Sequence, residues 1–342
     1  MRGMTRRITA PLLATLGLLL TASTAHAVEP LPVPARANLR IAAWNLEWLI
    51  APENFRALAK DCVPRGAPRG PRKRSIPCNV VDRLERSNID FRALARIARE
   101  LDADVVALQE VDGPSAAKRV FPKHDFCFAD DAGVQNVGFA IRRGVPHRCA
   151  PDYVELSLEG RLRRGAVVVL YPDDPREMHL MSVHLKASCP RRPLDDANPN
   201  CVTLAKQVPI LEEWIDEQAS AGRRFAVLGD FNHDFSTRGP ARNEQGALRN
   251  FWAEINDGEP AGAMLVNPSE NKRFLNCSPA HNYSSYIDHV ILGESLNEWR
   301  VPDSFIRVTF TPKDALQRKL SDHCPVGVDL RWPSNILGNA GG

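Results

Sequence analysis

Short apolar runs recur along this chain, and most of them end in an acid, an amide or a histidine. Leu39 to Ala43 reads as a strand entering Trp44-Asn45-Leu46-Glu47, and Asp104 to Leu108 as a strand delivering Gln109-Glu110. Runs of this length bounded by turn residues are the signature of buried strands. The same pattern predicts strands at Val137 to Arg142, Ala166 to Tyr171, Met178 to Leu185, Phe225 to Leu228, Tyr286 to Leu292, Phe305 to Phe310 and Pro325 to Leu330. Helical spacing is clearest in Asp90 to Leu101, where Leu94, Ile97, Ala98 and Leu101 fall at i, i+3, i+4 and i+7. A second helix is expected from Val202 to Gln218, with Pro209 bending or shortening it. A third is expected from Glu244 to Ile255. Too few helices separate the strands for a doubly wound parallel sheet, which needs a crossover after nearly every strand. Two packed mixed sheets flanked by helices fit the pattern better.

The N-terminus changes the picture of compartment. MRGMTRR, then ITAPLLATLGLLLTA, then STAHA has the three-part form of a secretory signal, with cleavage expected after Ala27. Its apolar stretch, Ile8 to Ala22, falls short of the roughly 20 residues that cross a bilayer. Residues 28–332 are expected to form a single catalytic domain and 333–342 a flexible tail. The formal charge of +3 includes Arg2, Arg6 and Arg7, so removal of the signal brings it to zero. That counts against a simple polycation. All eight cysteines lie beyond the signal and no C-x-x-C pair occurs, which points to disulfides rather than a zinc or redox site. Nearness in sequence suggests Cys62 with Cys78, Cys127 with Cys149 and Cys189 with Cys201, leaving Cys277 with Cys324.

Five strands end in, or lead into, residues suited to catalysis: Asn45, Glu110, His184, Asp230 with Asn232, and Asp288. Ser321-Asp322-His323 precedes a sixth strand. Strand ends converge at a sheet edge, where residues distant in sequence can meet. Each has an ordinary explanation when taken singly: a satisfied turn for Asn45, a solvated acid for Glu110, a hydrogen-bonded half-buried histidine for His184. The set as a whole carries more weight than its members.

That set resembles the endonuclease/exonuclease/phosphatase superfamily, which includes deoxyribonuclease I, abasic-site endonucleases, neutral sphingomyelinases and inositol-polyphosphate 5-phosphatases. The resemblance rests on WNLEW at 44–48, LQEV at 108–111, SVHLK at 182–186, GDFN at 229–232, YIDHV at 286–290 and SDHCPV at 321–326, in the family's order. It implies a four-layer α/β/β/α sandwich of two packed mixed β-sheets flanked by helices, with the site at one edge. By the same resemblance Glu110 is the principal metal ligand, completed by Asn45 and Asp322. Asp230 orients or deprotonates the attacking water, Asn232 donates to the phosphate, and His184 contacts another phosphate oxygen. His323, held by Asp288, hydrogen-bonds the phosphoryl oxygens or acts as general base. Oxygen-rich, thiolate-free ligands suit Mg²⁺, with Mn²⁺ or Ca²⁺ as alternatives. Where deoxyribonuclease I-like members pair the histidine corresponding to His184 with a glutamate, this chain places Gln135.

Other residues near these motifs have plainer readings. His233 and Asp234 are expected to be local loop partners, and His289, alternating to the opposite face from Asp288, to be structural. Gly229 is expected to bring backbone close to substrate and Phe231 to turn back into the core. Glu47 is open between a salt-bridged acid and a supporter of the metal site. Basic runs at Arg65 to Arg74, Arg161 to Arg164 and Arg191-Arg192 suit phosphates; Arg164 is the arginine placed nearest the scissile one. An aromatic membrane-docking hairpin, which a sphingomyelinase-like lipid phosphodiesterase would need, is not found, and a 5-phosphatase-like phosphomonoesterase lacks support because such enzymes are usually cytosolic and need their own lysine-rich substrate contacts. The expected protein is a monomeric exported nuclease with a nucleic acid substrate, no stable membrane insertion and no protein partner. A catalytically inactive binding module is the alternative of another class.

Overall fold

The computed structural model describes residues 38–64, 74–235, 250–279 and 281–333. The expected signal, nearly all of the expected tail, and residues 65–73 of the first basic run lie outside them. Twelve strands occur among the described residues: β1 (Asn38–Leu49), β2 (Val105–Val111), β3 (His124–Phe128), β4 (Asn136–Arg142), β5 (His147–Cys149), β6 (Ala166–Leu170), β7 (Met178–His184), β8 (Phe225–Asp230), β9 (Leu265–Val266), β10 (Asp288–Gly293), β11 (Ile306–Arg307) and β12 (Val326–Arg331). They form two six-stranded sheets, ordered β11-β12-β1-β2-β4-β3 and β5-β6-β7-β8-β10-β9. Each sheet has a parallel pair at its centre, β1 with β2 and β7 with β8, while the remaining pairs are antiparallel. This is the expected sandwich of mixed sheets.

The inner faces bury a continuous apolar layer that includes Ile41, Val105, Phe139, Val168, Leu180, Leu228, Val290 and Val328. Outside the first sheet, the helix Asn88–Leu101 packs Phe91, Leu94, Ile97 and Leu101 against Trp44, Val106 and Leu108. Its start is a capping box, with Ser87 and Asp90 each satisfying the other's backbone N–H. Outside the second sheet, the helix Pro199–Ser220 packs Leu204, Val208, Leu211 and Ile215 against Met181, Val183 and Val227. This helix continues through Pro209 without the expected shortening. Pro209 lies on its exposed face, where water can satisfy the carbonyl that the missing N–H leaves over.

Two expected strands are shorter than the apolar pattern suggested. Of the strand Phe305 to Phe310 only Ile306–Arg307 pairs, with β12, and the strand expected from Tyr286 begins at Asp288. Of the helix expected from Glu244, Phe251–Ile255 is helical and residues 244–249 lie outside the described segments. All four disulfides join the expected partners: Cys62–Cys78, Cys127–Cys149, Cys189–Cys201 and Cys277–Cys324. No helix among the described residues is long and apolar enough to cross a membrane.

Topology explains where the polar residues gather. The two parallel pairs deliver Asn45, Glu110, His184 and Asp230 from the ends of β1, β2, β7 and β8. The antiparallel β10 begins at Asp288, opposite Asp230 in register. The loop carrying His323 enters β12, whose first residue Val326 is opposite Ala43. Strand ends and strand beginnings therefore meet at one edge.

Candidate active site

Backbone irregularity aims the first two residues. The β1–β2 register shifts between Asn45 and Leu49, and the β2–β4 register between Leu108 and Val111. Bulges of this kind turn a side chain that regular alternation would misdirect. Glu47, Trp48, Glu110 and Asn232 all adopt positive φ, between 44° and 59°, a conformation that costs a non-glycine residue on the order of 1 kcal/mol or more. Their concentration at this edge marks it as a region where geometry is held against local preference.

A network of amides and carboxylates fixes the centre. Asn45 donates from Nδ2 to Asp230 Oδ2 at 3.0 Å and, more weakly, to Glu110 Oε1 at 3.4 Å, while its Oδ1 accepts the Glu47 N–H at 2.9 Å. Glu110 Oε2 accepts from the Trp48 N–H at 3.1 Å and from the Gln135 amide. His184 Nε2 lies 3.5 Å from Asp230 Oδ2 and 3.8 Å from Glu110 Oε1. The Asn232 N–H donates to Asp230 Oδ1 at 2.8 Å, whereas its side-chain amide donates to the Leu185 carbonyl at 3.2 Å.

His323 closes the arrangement from the other side. Its Nδ1 meets both oxygens of Asp288, at 2.8 and 3.0 Å, and its Nε2 faces Asp230 at 3.9 Å and Asp322 at 3.7 Å. Ser321 holds this loop to β1, donating from Oγ to the Asn45 carbonyl at 2.7 Å and accepting the His323 N–H at 3.0 Å. The Trp44 indole donates to the His323 carbonyl at 3.1 Å. The buried Arg86 adds a clamp that the sequence did not signal, donating to the carbonyls of Leu46, Trp48, Lys319 and Leu320. The loop is thus fixed by backbone contacts on both flanks of the histidine.

Electrostatics follow from this crowding. Burial, with the Asp288 carboxylate adding to it, raises Asp230 to about 7 despite the opposing pull of His323. Burial alone would lower His323, but the carboxylates of Asp288, Asp230 and Asp322 outweigh it and hold the imidazole well above its usual value. Burial and the neighbouring Asp322 raise Glu47, although it is ion-paired with Arg83. An edge so dense in carboxyl groups has the character of a divalent-cation site. With every cysteine in a disulfide, it offers oxygen and imidazole rather than thiolate. Asp230, Asp288 and His323 have potential ligand atoms within 4.8 Å of one another.

Several expectations find other partners. Arg164 pairs with Asp152 at 3.3 Å instead of joining the centre. Its neighbour Arg163 is the one connected to it, donating to Oε1 and the carbonyl of Gln135, which in turn donates to Glu110. Gln135 therefore serves Glu110. Gly229 adopts φ +140°, and a Cβ there would lie 2.1 Å from the Val183 carbonyl and 2.9 Å from the Gln109 amide; close packing of β8 against β7 demands the glycine. Phe231 turns into the core as expected. His233, Asp234 and His289 do not join the centre: His233 bonds the Cys189 carbonyl, Asp234 pairs with Arg191, and His289 bonds the His233 carbonyl.

A two-sheet sandwich with acids, amides and a carboxylate-held histidine at one edge offers what metal-assisted hydrolysis of a phosphoric ester needs. The model of the Endonuclease/Exonuclease/phosphatase family matches residues 42–323, and the chain belongs to that family. It is accordingly a divalent-metal-dependent phosphoric ester hydrolase. No curated protein sequence matches it. Its fold is similar to that of an endonuclease/exonuclease/phosphatase from Bacteroides vulgatus, at TM-score 0.53 and 13% identity over 87% of this chain and 100% of that one. The AP endonuclease LMAP from Leishmania major is similar at TM-score 0.52 and 15% identity, over 87% and 89%. D. rerio TDP2, in a complex with a single-strand DNA product, is similar at TM-score 0.51 and 18% identity, over 86% and 100%.

Proposed function

We propose that this protein is an exported, Mg²⁺-dependent nuclease that hydrolyses nucleic acid phosphodiesters by attack of water. The convergence of residues from six separate motifs around Asp230, with His323 locked to Asp288 on one side and Asn45 bonded on the other, carries this reading. Glu110 is the residue to hold the cation, with Asp322 as a further carboxylate at this edge. Asn45 holds Asp230 and Glu110 through its amide nitrogen, and its Oδ1, which accepts the Glu47 N–H, keeps a second lone pair with which to help hold the cation. A bound Mg²⁺ would supply charge neutralisation at the phosphate.

The protein side chains divide the remaining work. Asp230, raised to about 7 by burial, is suited to orient a water and take its proton near neutral pH. His323 is fixed by Asp288 through Nδ1, leaving Nε2–H to donate to a phosphoryl oxygen, and its raised basicity favours that charged form. For this reason the Asp230–Asp288–His323 trio is assigned to proton handling rather than to metal. His184 contacts a second phosphate oxygen, and Asn232 positions Asp230 through its backbone N–H. Export is supported by the four disulfides, which persist in oxidising compartments. The nucleic acid substrate is supported by family membership and by the TDP2 complex with single-strand DNA.

The test is to incubate the protein with duplex DNA, single-stranded DNA, RNA, sphingomyelin and a generic phosphodiester, each with Mg²⁺, Mn²⁺, Ca²⁺ or EDTA, and to identify the products. Cleavage of a nucleic acid that EDTA abolishes is expected. Turnover of sphingomyelin alone would replace the nuclease with a lipid phosphodiesterase.

A further inference from the structure

A cavity of about 420 Å³ opens beside the centre, sharing His323, Asp288, Asp322 and Asn232 with it. Beyond these shared residues its wall changes character. Phe274, Tyr283 and Arg307 line it, with Arg191 and Ser284 at the rim. Tyr283 is half exposed. Its backbone is fixed to Asn276 through two hydrogen bonds of 2.9 and 3.1 Å, and the adjacent Cys277 is disulfide-bonded to Cys324, next to His323. The Arg191 guanidinium bonds Ser284 on one side and Asp234 on the other.

Arg307 is the unexplained group in this wall. Its guanidinium lies over Phe274 at 4.6 Å and Tyr286 at 5.0 Å, and its Nη2 reaches the Cys277 sulfur at 3.5 Å. Two other buried nitrogens, Nε and Nη1, have no hydrogen-bond partner, and among the described residues the Asp288 carboxylate acts on the guanidinium only from beyond ion-pair distance. Burying a cation without a partner is costly. A positive charge set in low-dielectric walls projects its field into the cavity it lines. The group it suits is an anion that arrives with the substrate.

Resting on the nuclease reading, we propose that this cavity is a subsite for the nucleotide adjoining the scissile bond, with its base against Tyr283 and its own phosphate drawn by Arg307. The substrate is then a strand with two phosphates separated by one nucleoside, and the nucleoside is unpaired because its base occupies the cavity. The half-exposed phenol ring can stack on any base. This subsite makes the neighbouring phosphate a determinant of binding, which a phosphomonoester or a simple diester cannot supply.

The experiment measures binding of thymidine 3′,5′-bisphosphate and thymidine 5′-monophosphate to the full chain by calorimetry, with wild type, Arg307→Met and Tyr283→Ala. Methionine keeps an apolar stem over Phe274 and Tyr286, and melting curves verify folding. The wild type is expected to bind the bisphosphate at least tenfold more tightly, Arg307→Met to lose that preference, and Tyr283→Ala to weaken both ligands. Equal affinity of the wild type for the two ligands overturns the subsite, as does a preference that survives Arg307→Met. If that variant does not fold, Tyr283→Ala decides: unchanged binding of both ligands overturns the proposal. Oligonucleotide cleavage by the wild type separates the two readings. A bisphosphate preference without cleavage retains the subsite and sinks the nuclease.

Discussion

Two groups of histidine and aspartate stand at the same end of β8 and β10. Asp230 and Asp288 face His323 across the catalytic edge, while His233, Asp234 and His289 sit on the far side of the same strands, around Phe231, Phe235 and Phe251. In the first group a histidine has carboxylates against both ring nitrogens, and burial fails to depress it. In the second, His289 stacks on Phe235 with ring centroids 4.4 Å apart and bonds only a carbonyl, so burial lowers it to about 4. Burial alone therefore does not set the charge. What matters is whether the buried ring is given a carboxylate.

The sharpest way to break this comparison is to remove one member from each side. His323→Ala and Asp230→Asn should each lower kcat/KM by about 10³-fold or more, toward the upper range for a positioned acid or base, while both proteins still fold. His233→Ala should leave activity per folded molecule within a few-fold, because its contacts are to the Cys189 carbonyl and aromatic rings. Near-normal turnover by either catalytic-side variant would remove the proposed site. Steady-state kinetics alongside thermal melts gives both readings.

Next in size is the metal requirement. Glu110→Ala should raise the Mg²⁺ concentration for half-maximal activity by about 100-fold or more, a large effect because a charged ligand is removed outright. EDTA should abolish wild-type turnover and readdition of Mg²⁺ restore it. Full activity in excess EDTA would end the metal mechanism and leave Glu110 a hydrogen-bonded acid with no metal to hold.

The pH dependence of stability should separate the two histidines by sign. His289 has a folded value near 4, below its unfolded value of about 6.5, so its contribution is present above pH 6.5 and is lost as pH falls toward 4. The loss is up to about 2–3 kcal/mol over that window. His323 is raised, so its contribution is full below about pH 6.5 and disappears as pH rises through its folded value. Chemical denaturation at a series of pH values should therefore show His289→Phe flattening the acid side and His323→Ala flattening the alkaline side. Identical pH profiles for the two variants would contradict the assignment.

How much of this was legible in the sequence differs between strand ends and the spaces between them. The run Phe225 to Leu228 followed by Asp230 and Asn232 carries its own direction, because alternation puts Phe231 into the core and its neighbours at the edge. Strand positions and the six motifs could be read in that way, as could the disulfide partners. Pairings that depend on loop conformation could not. Arg163 and Arg164 are adjacent in a run of like residues, and only the path of the chain entering β6 decides which reaches Gln135. Arg86 and Arg307 look like ordinary surface cations in one dimension, yet both are enclosed by segments more than a hundred residues away or by aromatic rings that close over them in three. The packing demand on Gly229 was out of reach for a related reason: the Val183 carbonyl that requires glycine belongs to the neighbouring strand.

The smallest effect tests that adjacency. Arg164 is held in a partly exposed ion pair with Asp152, an interaction worth about 0–1 kcal/mol, so Arg164→Ala should change activity less than about twofold. Arg163 orients Gln135, and Gln135 donates to Glu110. Losing that support should raise the half-saturating Mg²⁺ concentration by roughly tenfold, the lower end of the range for groups that hold a metal ligand from outside. The maximal rate at saturating Mg²⁺ should change much less, since Arg163 bonds neither Asp230 nor His323. A Mg²⁺ titration of both variants tests this. Should Arg164→Ala show the larger shift, the chain from Arg163 through Gln135 would not be what holds Glu110, and the carboxylate would owe its position to the Trp48 N–H and to Asn45 alone.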